Sequence, residues 1–507
     1  MLRRAVPVIG TCVGACALSA CMVGPDYARP EPILPETFRL PKDADATQVE
    51  AAKLEDWWLK FDDATLTDLM NRAMRGNLSL QRAAASIGRY RAMYGVAYSQ
   101  LYPSLNAQAG YSYQLLNFAE LGGQTSSDPF STWRYGVGMS TWEVDLFGKI
   151  RRGMQAAQAR LQASIEGYRL AMVSLRAEVA NAYLAIRTLQ AQRDLALENV
   201  KLYEQVYAIT EAKFKASTTS QMELSEAAAR LATARAAVPR LDAQIQERCN
   251  GLSVLLGEAP GPMQDEMLSS APIPLPTQEV SIGIPGDLLR RRADVLQMER
   301  ELMAATAEIG VAEAGYYPQL SIVGTWQIAS LNFSGLGDIS NQTYGVGPTF
   351  SWNFFNAGLT ASQVRQAEAL ALQMEFQWRE TVLQAASQVQ TALGNYAGAR
   401  AQLAEFEKTL GDVRDTYELA LARYRAGTVN LTQLLQFAQT VLEAENGYSQ
   451  ARGLAASNLV ELYRSLGGGW ENVSIPAVGE GAFTSSGPNM FASPPPLPDG
   501  KSPTETP

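Results

Sequence analysis

Leu105-Asn106-Ala107-Gln108-Ala109-Gly110-Tyr111-Ser112-Tyr113-Gln114-Leu115 alternates residue by residue between apolar side chains and small or polar ones. A strand turns successive side chains to opposite faces, so this segment has one greasy face and one polar face. A second segment repeats the pattern: Tyr344, Val346, Pro348, Phe350, Trp352 and Phe354 against Gly345, Gly347, Thr349, Ser351 and Asn353. Roughly ten residues of apolar-out, polar-in alternation is the signature of a tilted strand in a transmembrane β-barrel. Two further segments are less regular. Leu320, Ile322, Trp326 and Ile328 share one face. Trp133, Tyr135, Val137 and Met139 share a parity that passes to Trp142, Val144 and Leu146, a switch that a β-bulge would explain. Trp133, Trp142, Trp326 and Trp352 are four of the eight tryptophans and suit aromatic girdles at the membrane interfaces.

A soluble sheet with one face buried shows the same alternation. The N-terminus separates the two readings. Arg3 and Arg4 precede a short apolar run, Ala5 to Ala17, and Leu18-Ser19-Ala20-Cys21 then follows. Charged start, apolar run and small residues make an export signal. The final four residues resemble a bacterial lipobox, which makes Cys21 the acylated first residue of the mature protein. Met22 rather than aspartate comes next, which fits outer-membrane sorting. Cys12 and Cys16 leave with the signal, so Cys249 is the one remaining thiol and no internal disulfide can form. Cys249 lies on an apolar helix stripe, as a small buried hydrophobe would. Beyond the signal no run of about 18 apolar residues marks a spanning helix.

Four strands make two hairpins, whereas single-chain barrels need about eight. Open edges are not tolerated in hydrocarbon, where unpaired N–H and C=O groups find no water. Strands from other copies must therefore close the sheet.

Composition excludes other classes. The 507-residue chain has 42 Lys+Arg, 51 Asp+Glu and a net charge of −9, without the basic footprint of a nucleic-acid binder. It contains no histidine, which removes the commonest general base and the imidazole metal ligands. No Walker loop, dinucleotide glycine pattern or paired CxxC is present. We expect no enzyme activity, no metal and no cofactor beyond the lipid on Cys21.

The chain repeats at an offset near 210 residues. Phe214-Lys215-Ala216-Ser217-Thr218 matches Tyr424-Arg425-Ala426-Gly427-Thr428, Leu256-Gly257 matches Leu466-Gly467, and Thr141-Trp142 matches Ser351-Trp352. Leu101-Tyr102-Pro103-Ser104-Leu105 pairs with Tyr316-Tyr317-Pro318-Gln319-Leu320 slightly farther apart. Each copy reads as a helix, two strands, a very long helix, a turn and a returning helix. The long helices are predicted over roughly 149–215 and 359–425, each on the order of 100 Å at 1.5 Å per residue. In the first returning helix Ala227, Leu231, Ala234, Val238, Leu241 and Ile245 keep coiled-coil spacing, with Pro239 expected to bend or break it. Leu434, Val441, Tyr448, Ala455 and Leu462 stand seven apart in the second. The stripes read as packing surfaces. The domain division is a lipoprotein signal (1–20), an extended segment (21–61), a first repeat (62–257), a proline-rich linker without helix or strand (258–285), a second repeat (286–470) and a Pro/Ser/Gly-rich tail (471–507) read as disordered.

Several stretches carry a resemblance: Gly24-Pro25-Asp26-Tyr27 with Arg29-Pro30; Trp57-Trp58 with Phe61-Asp62-Asp63 and Leu66; and Trp142-Glu143-Val144-Asp145-Leu146-Phe147-Gly148-Lys149-Ile150-Arg151-Arg152. Others are Pro285 with Asp287-Leu288-Leu289-Arg290-Arg291-Arg292-Ala293-Asp294, and Leu466-Gly467-Gly468-Gly469-Trp470. In order and spacing the chain resembles the outer membrane factor (TolC-like) family, specifically its OprM/NodT-like lipoprotein branch serving RND-type efflux pumps. Ala293 stands where that family usually has proline. The resemblance implies an α+β membrane protein: a homotrimer whose twelve-strand barrel crosses the outer membrane above a long periplasmic α-helical barrel. It implies a periplasmic adaptor and an inner-membrane RND transporter as partners, and a passive exit duct for drugs or other small molecules. A duct for type I protein secretion on the same fold is the alternative; a lipid-tethered periplasmic coiled-coil scaffold without a pore is another, of a different class.

In such channels the helix pairs converge at the periplasmic end, and the turns at their tips meet the adaptor. The matching residues here are Lys215 and Ser217 in one turn and Arg425 and Gly427 in the other. Both cations also suit the negative end of a helix on stability grounds. Glu223 and Glu226, three apart at the next helix start, would form acidic rings in an oligomer, or merely stabilise that helix start. Their counterparts are Gln433 and Gln436, where some relatives carry aspartates, so charge at the constriction is expected from the first repeat.

Overall fold

The computed structural model describes residues 22–31, 34, 46–47, 54–114, 129–276, 280–281 and 291–471. The export signal, Cys21, Leu115, Pro285, residues 287–290 and the segment after Glu471 lie outside them.

Two rods dominate. Helix α3 (Lys149–Lys215) and helix α7 (Leu359–Arg425) are each 67 residues long, over the spans the sequence predicts. Each is paired over the half next to its turn with a returning helix, α4 (Gln221–Leu256) and α8 (Leu431–Ser465) respectively. Ahead of α3 stand α1 (Ala64–Gly76), α2 (Leu78–Ser99) and strands β2 (Leu105–Gln114) and β3 (Phe130–Val144). Ahead of α7 stand α6 (Ala293–Glu313), β5 (Gln319–Ser330) and β6 (Gln342–Ser351). No described helix is long and apolar enough to cross a membrane.

Local chemistry explains the starts of these elements. The residue before α3 is Gly148, which offers no capping side chain. Asp145 takes over the task, accepting from the backbone N–H of Ile150 (3.2 Å) and Arg151 (2.9 Å). That satisfies two of the donors a helix start leaves open and puts a negative charge at its positive end. Asp63, Asn77, Ser220 and Asn430 cap α1, α2, α4 and α8 in the usual way.

Three expectations need correction. The single helix predicted before β2 is two, because Asn77 ends α1 and caps α2: its Oδ1 accepts from Leu80 N–H at 2.8 Å and its Nδ2 donates to the Leu255 carbonyl at 2.8 Å. Pro239 does not break α4, which continues through it. The proline ring faces solvent, and the packing of buried Leu231, Ala234 and Leu241 on either side outweighs the missing N–H bond. The linker, in turn, holds a short helix α5 (Pro262–Glu266) and strand β4 (Val280–Ser281), which pairs in parallel with β1 (Ala46–Thr47). Met263, Met267 and Ile273 are buried, so this stretch is packed against the rods as well as joining them.

The main sheet has the order β2-β3-β5-β6, antiparallel throughout. A register shift between Met139 and Trp142 supplies the expected bulge. Neither β2 nor β6 has a second neighbour among the described residues.

The largest core lies at mid-height, where Trp57, Trp58, Phe61 and Leu66 pack against α3, α7 and α8. Trp57 stacks on Tyr463 with ring centroids 5.3 Å apart. Cys249 is free and fully buried there, and burial raises its thiol pKa. A second cluster, with Leu231, Tyr417, Tyr424 and Leu434, welds all four long helices at their far end.

Candidate channel wall and docking tips

The register carries one apolar face across all four strands. Ala109 lies opposite Tyr135 and Tyr135 opposite Ile328; Ala107, Val137, Trp326 and Tyr344 form the next row; Val144, Leu320 and Phe350 form another beyond the bulge. Most of this face is exposed, with Tyr344 at 75% and Val346 at 78%, while Ile328 near the loop end is buried. The opposite face carries Gln108, Gly136, Gln327 and Thr343 in one row and Asn106, Gly138, Thr325 and Gly345 in the next. Only two charged side chains occur in the four strands, Arg134 and Glu143, and both fall on this polar face. Glu143 is neutralised by Lys149 at 3.2 Å.

Of the girdle candidates, Trp133 stands towards the loop end of the sheet, opposite Tyr111 and Ser330. Trp142 stands at the helix end, opposite Ile322. Trp326 sits midway between those levels, opposite Val137 and Tyr344. Trp352 follows the last residue of β6, so three of the four tryptophans are within strands.

At the far end of the rods both turns have one geometry. Thr218 N–H donates to the Lys213 carbonyl (2.9 Å) and Ser217 N–H to that of Phe214 (2.9 Å); Thr428 reaches Arg423 (3.0 Å) and Gly427 reaches Tyr424 (3.1 Å). These are paired Schellman caps. The left-handed position holds Ser217 (φ +54°) in one and Gly427 (φ +75°) in the other. Lys215, Ser217, Arg425 and Gly427 are all exposed, and Lys215 pairs with Glu211 on its own helix at 3.2 Å. Glu223 and Glu226 are half-buried in the first turns of α4; Gln433 and Gln436 are exposed in the matching turns of α8.

Sequence reasoning missed two contacts. Lys213 donates to the Tyr424 carbonyl at 3.2 Å and lies 3.8 Å above the Tyr424 ring, holding the two tips side by side. Tyr424 also shares a 3.2 Å hydroxyl contact with Thr210. The one available signal was the hydroxyl present at Tyr424 and absent from its counterpart Phe214. The second contact is a strap at the rods' other end. Val23 N–H donates to the Phe147 carbonyl at 3.1 Å. Buried Arg152 donates to the Val23 and Gly24 carbonyls (3.0 and 2.9 Å) and to Asp26 (2.9 Å). Glu299 on α6 receives Arg29 Nε at 3.0 Å and the Tyr27 hydroxyl at 3.3 Å. Burial, and then Glu299, raise the Tyr27 pKa, which keeps the phenol a donor. The segment after Cys21 is thus strapped to the junction of β3 with α3. Both motifs were visible in the sequence, but not that one binds the other.

A largely exposed apolar sheet face with two free edges, set on rods about 100 Å long, matches known proteins. The family model described as "Outer membrane efflux protein" matches residues 69–258 and 284–468. The chain belongs to this family. Outer membrane protein OprJ of Pseudomonas aeruginosa is 29% identical over 461 residues, covering 90% of this chain and 95% of OprJ. Probable outer membrane lipoprotein SilC of Salmonella typhimurium is 25% identical over 458 residues, covering 89% of this chain and 96% of SilC. A solved structure of the outer-membrane channel OprN superposes with a TM-score of 0.81 at 30% identity, covering 89% of this chain and all of that one. This outer membrane efflux protein is accordingly a channel subunit of the outer membrane that extends into the periplasm, and not an enzyme.

Proposed function

We propose that three copies of this chain close a twelve-strand barrel, with β2 of each meeting β6 of the next, and that the rods continue it as a helical tunnel through the periplasm. The chain is built from two tandem repeats, 62–257 and 286–470, joined by the linker 258–285 and preceded by the segment 21–61. Lipid on Cys21 anchors it. The tips at Lys215, Ser217, Arg425 and Gly427 face a periplasmic adaptor, and Glu223 and Glu226 with Gln433 and Gln436 line the constriction. Trp133 at one level with Trp142 and Trp352 at the other mark the membrane borders, Trp326 lying between them. An inner-membrane RND transporter supplies drugs or other small molecules, and the channel passes them on passively.

One observation carries this reading: large apolar side chains are exposed on each of the four strands, while neither edge strand has a second partner among the described residues. Hydrocarbon accepts the face but not the edges. The test is the mass of the detergent-solubilised mature protein together with its conductance in planar bilayers. A trimer with discrete conductance steps is the expected result; a monomer stable in water without detergent overturns the proposal. Discrete steps also distinguish a duct from a pore-less scaffold.

A further inference from the structure

Among the described residues, Arg134 is the one charge on the polar face of the sheet without a counter-charge. It sits opposite Gly110 on β2 and Ala329 on β5, small residues that do not crowd it. Its stem lies over Gly110, since a β-carbon built there would come within 3.8 Å of Arg134 Cγ and Nε. The side chain therefore runs towards the free edge that a neighbouring copy would occupy. No ion pair to it occurs among the described residues, and the other strand charge, Glu143, is held by Lys149 at the opposite end of β3. The polar face of β6, which closure brings alongside, offers Thr343, Gly345, Gly347 and Thr349 and no carboxylate. A guanidinium stays charged at every physiological pH and is matched in shape to carboxylate and phosphate.

We infer that Arg134 is a selectivity residue: in the closed assembly its copies form a cationic ring near the loop end of the barrel that favours solutes carrying carboxylate, phosphate or sulfate groups. This rests on the oligomeric-channel reading above. Rings of arginine or lysine select anions in other pores by the same physics, because a fixed charge in a narrow, low-dielectric wall raises the local concentration of its counter-ion. The sign is opposite to that of the acidic residues at the rod tips, so one path carries a cation-favouring end and an anion-favouring end.

The test is the reversal potential across a KCl gradient in planar bilayers, measured on full-length protein. Glu223→Gln with Glu226→Gln provides a background in which the tips no longer dominate. Adding Arg134→Gln to that background should shift the reversal potential towards the potassium value, while adding Arg134→Lys should leave it in place. Tripolyphosphate added on the loop side should reduce the current of the arginine and lysine forms and spare the glutamine form. Conducting channels with the same reversal potential in all three forms would overturn the ring and leave the channel reading intact. A wild-type trimer without conductance would overturn both.

Discussion

The indole N–H of Trp142 donates to the backbone carbonyl of Leu101 at 3.1 Å, tying the end of β3 to the chain just before β2 begins. The second half repeats the clamp: Trp352 Nε1 donates to the Tyr316 carbonyl at 3.0 Å. Trp142→Phe keeps an aromatic side chain, though a smaller one, and removes the bond, so we expect a loss of at least about 1 kcal/mol. It should appear as a lower melting temperature of the detergent-solubilised protein, with Trp352→Phe giving a similar drop. Unchanged melting in both variants would show that the clamps carry no stability.

The two tips differ at their left-handed position. A residue with a β-carbon pays roughly 1 kcal/mol there, and glycine does not. Ser217→Gly should therefore stabilise, and Gly427→Ser should destabilise by a similar amount even though nothing lies within 4 Å of the new atom. Opposite shifts in melting temperature are the expected result.

Glu166 of α3 is buried, and one of its oxygens has no partner. Burial raises its pKa above 4.5, an effect that Arg169 at 2.8 Å only partly offsets. The folded state thus holds this proton more tightly than the unfolded one. The contribution favours folding below pH 4.5 and is lost as the pH rises through the raised value. Glu166→Gln should make the protein more stable at neutral pH, with the difference shrinking as the pH falls to 4.5. A stability gap that does not vary with pH would contradict this assignment.

The contacts of the strap are all made by residues beyond Cys21. Gly24 has φ +90°, and a β-carbon on it would lie 2.3 Å from Gly310 Cα. Gly24→Ala should release the strap, seen as faster proteolysis within residues 22–31 of the otherwise intact assembly. Cys21→Ala behind a substitute signal peptide should still yield some functional oligomer, since in the proposed barrel the strands themselves span the membrane. Recovery of only unfolded periplasmic protein would contradict that expectation.

At the tips, Glu223→Gln with Glu226→Gln should lower the cation preference of single channels. Gln433→Glu with Gln436→Glu should raise it, because both pairs occupy the same turns of equivalent helices. Unchanged selectivity in either case would place the constriction elsewhere.

Periodic features were legible in the sequence. The limits of α3 and α7, the parity of the four strands and the bulge before Trp142 all follow from repeating local patterns, which a single sequence displays. What escaped depends on contacts between distant residues. Asn77 splits a helix partly because its amide reaches Leu255, and Pro239 is tolerated because its ring meets solvent. The linker packs because Met263 and Met267 find the mid-height core. At the tips the exposed turn residues could be named in advance, whereas the tie between Lys213 and Tyr424 joins residues 211 positions apart.

Because α3 and α7 have the same length and their ends are tied by Lys213 and Tyr424, the two turns finish level. A single residue inserted into one rod would lengthen it by about 1.5 Å and rotate everything beyond by roughly 100°, carrying its tip out of step with its twin. Length changes in this chain are therefore constrained to arrive in both rods together and in near-whole heptads, which gives the rods the character of a gauge that mutation can rescale but cannot readily skew.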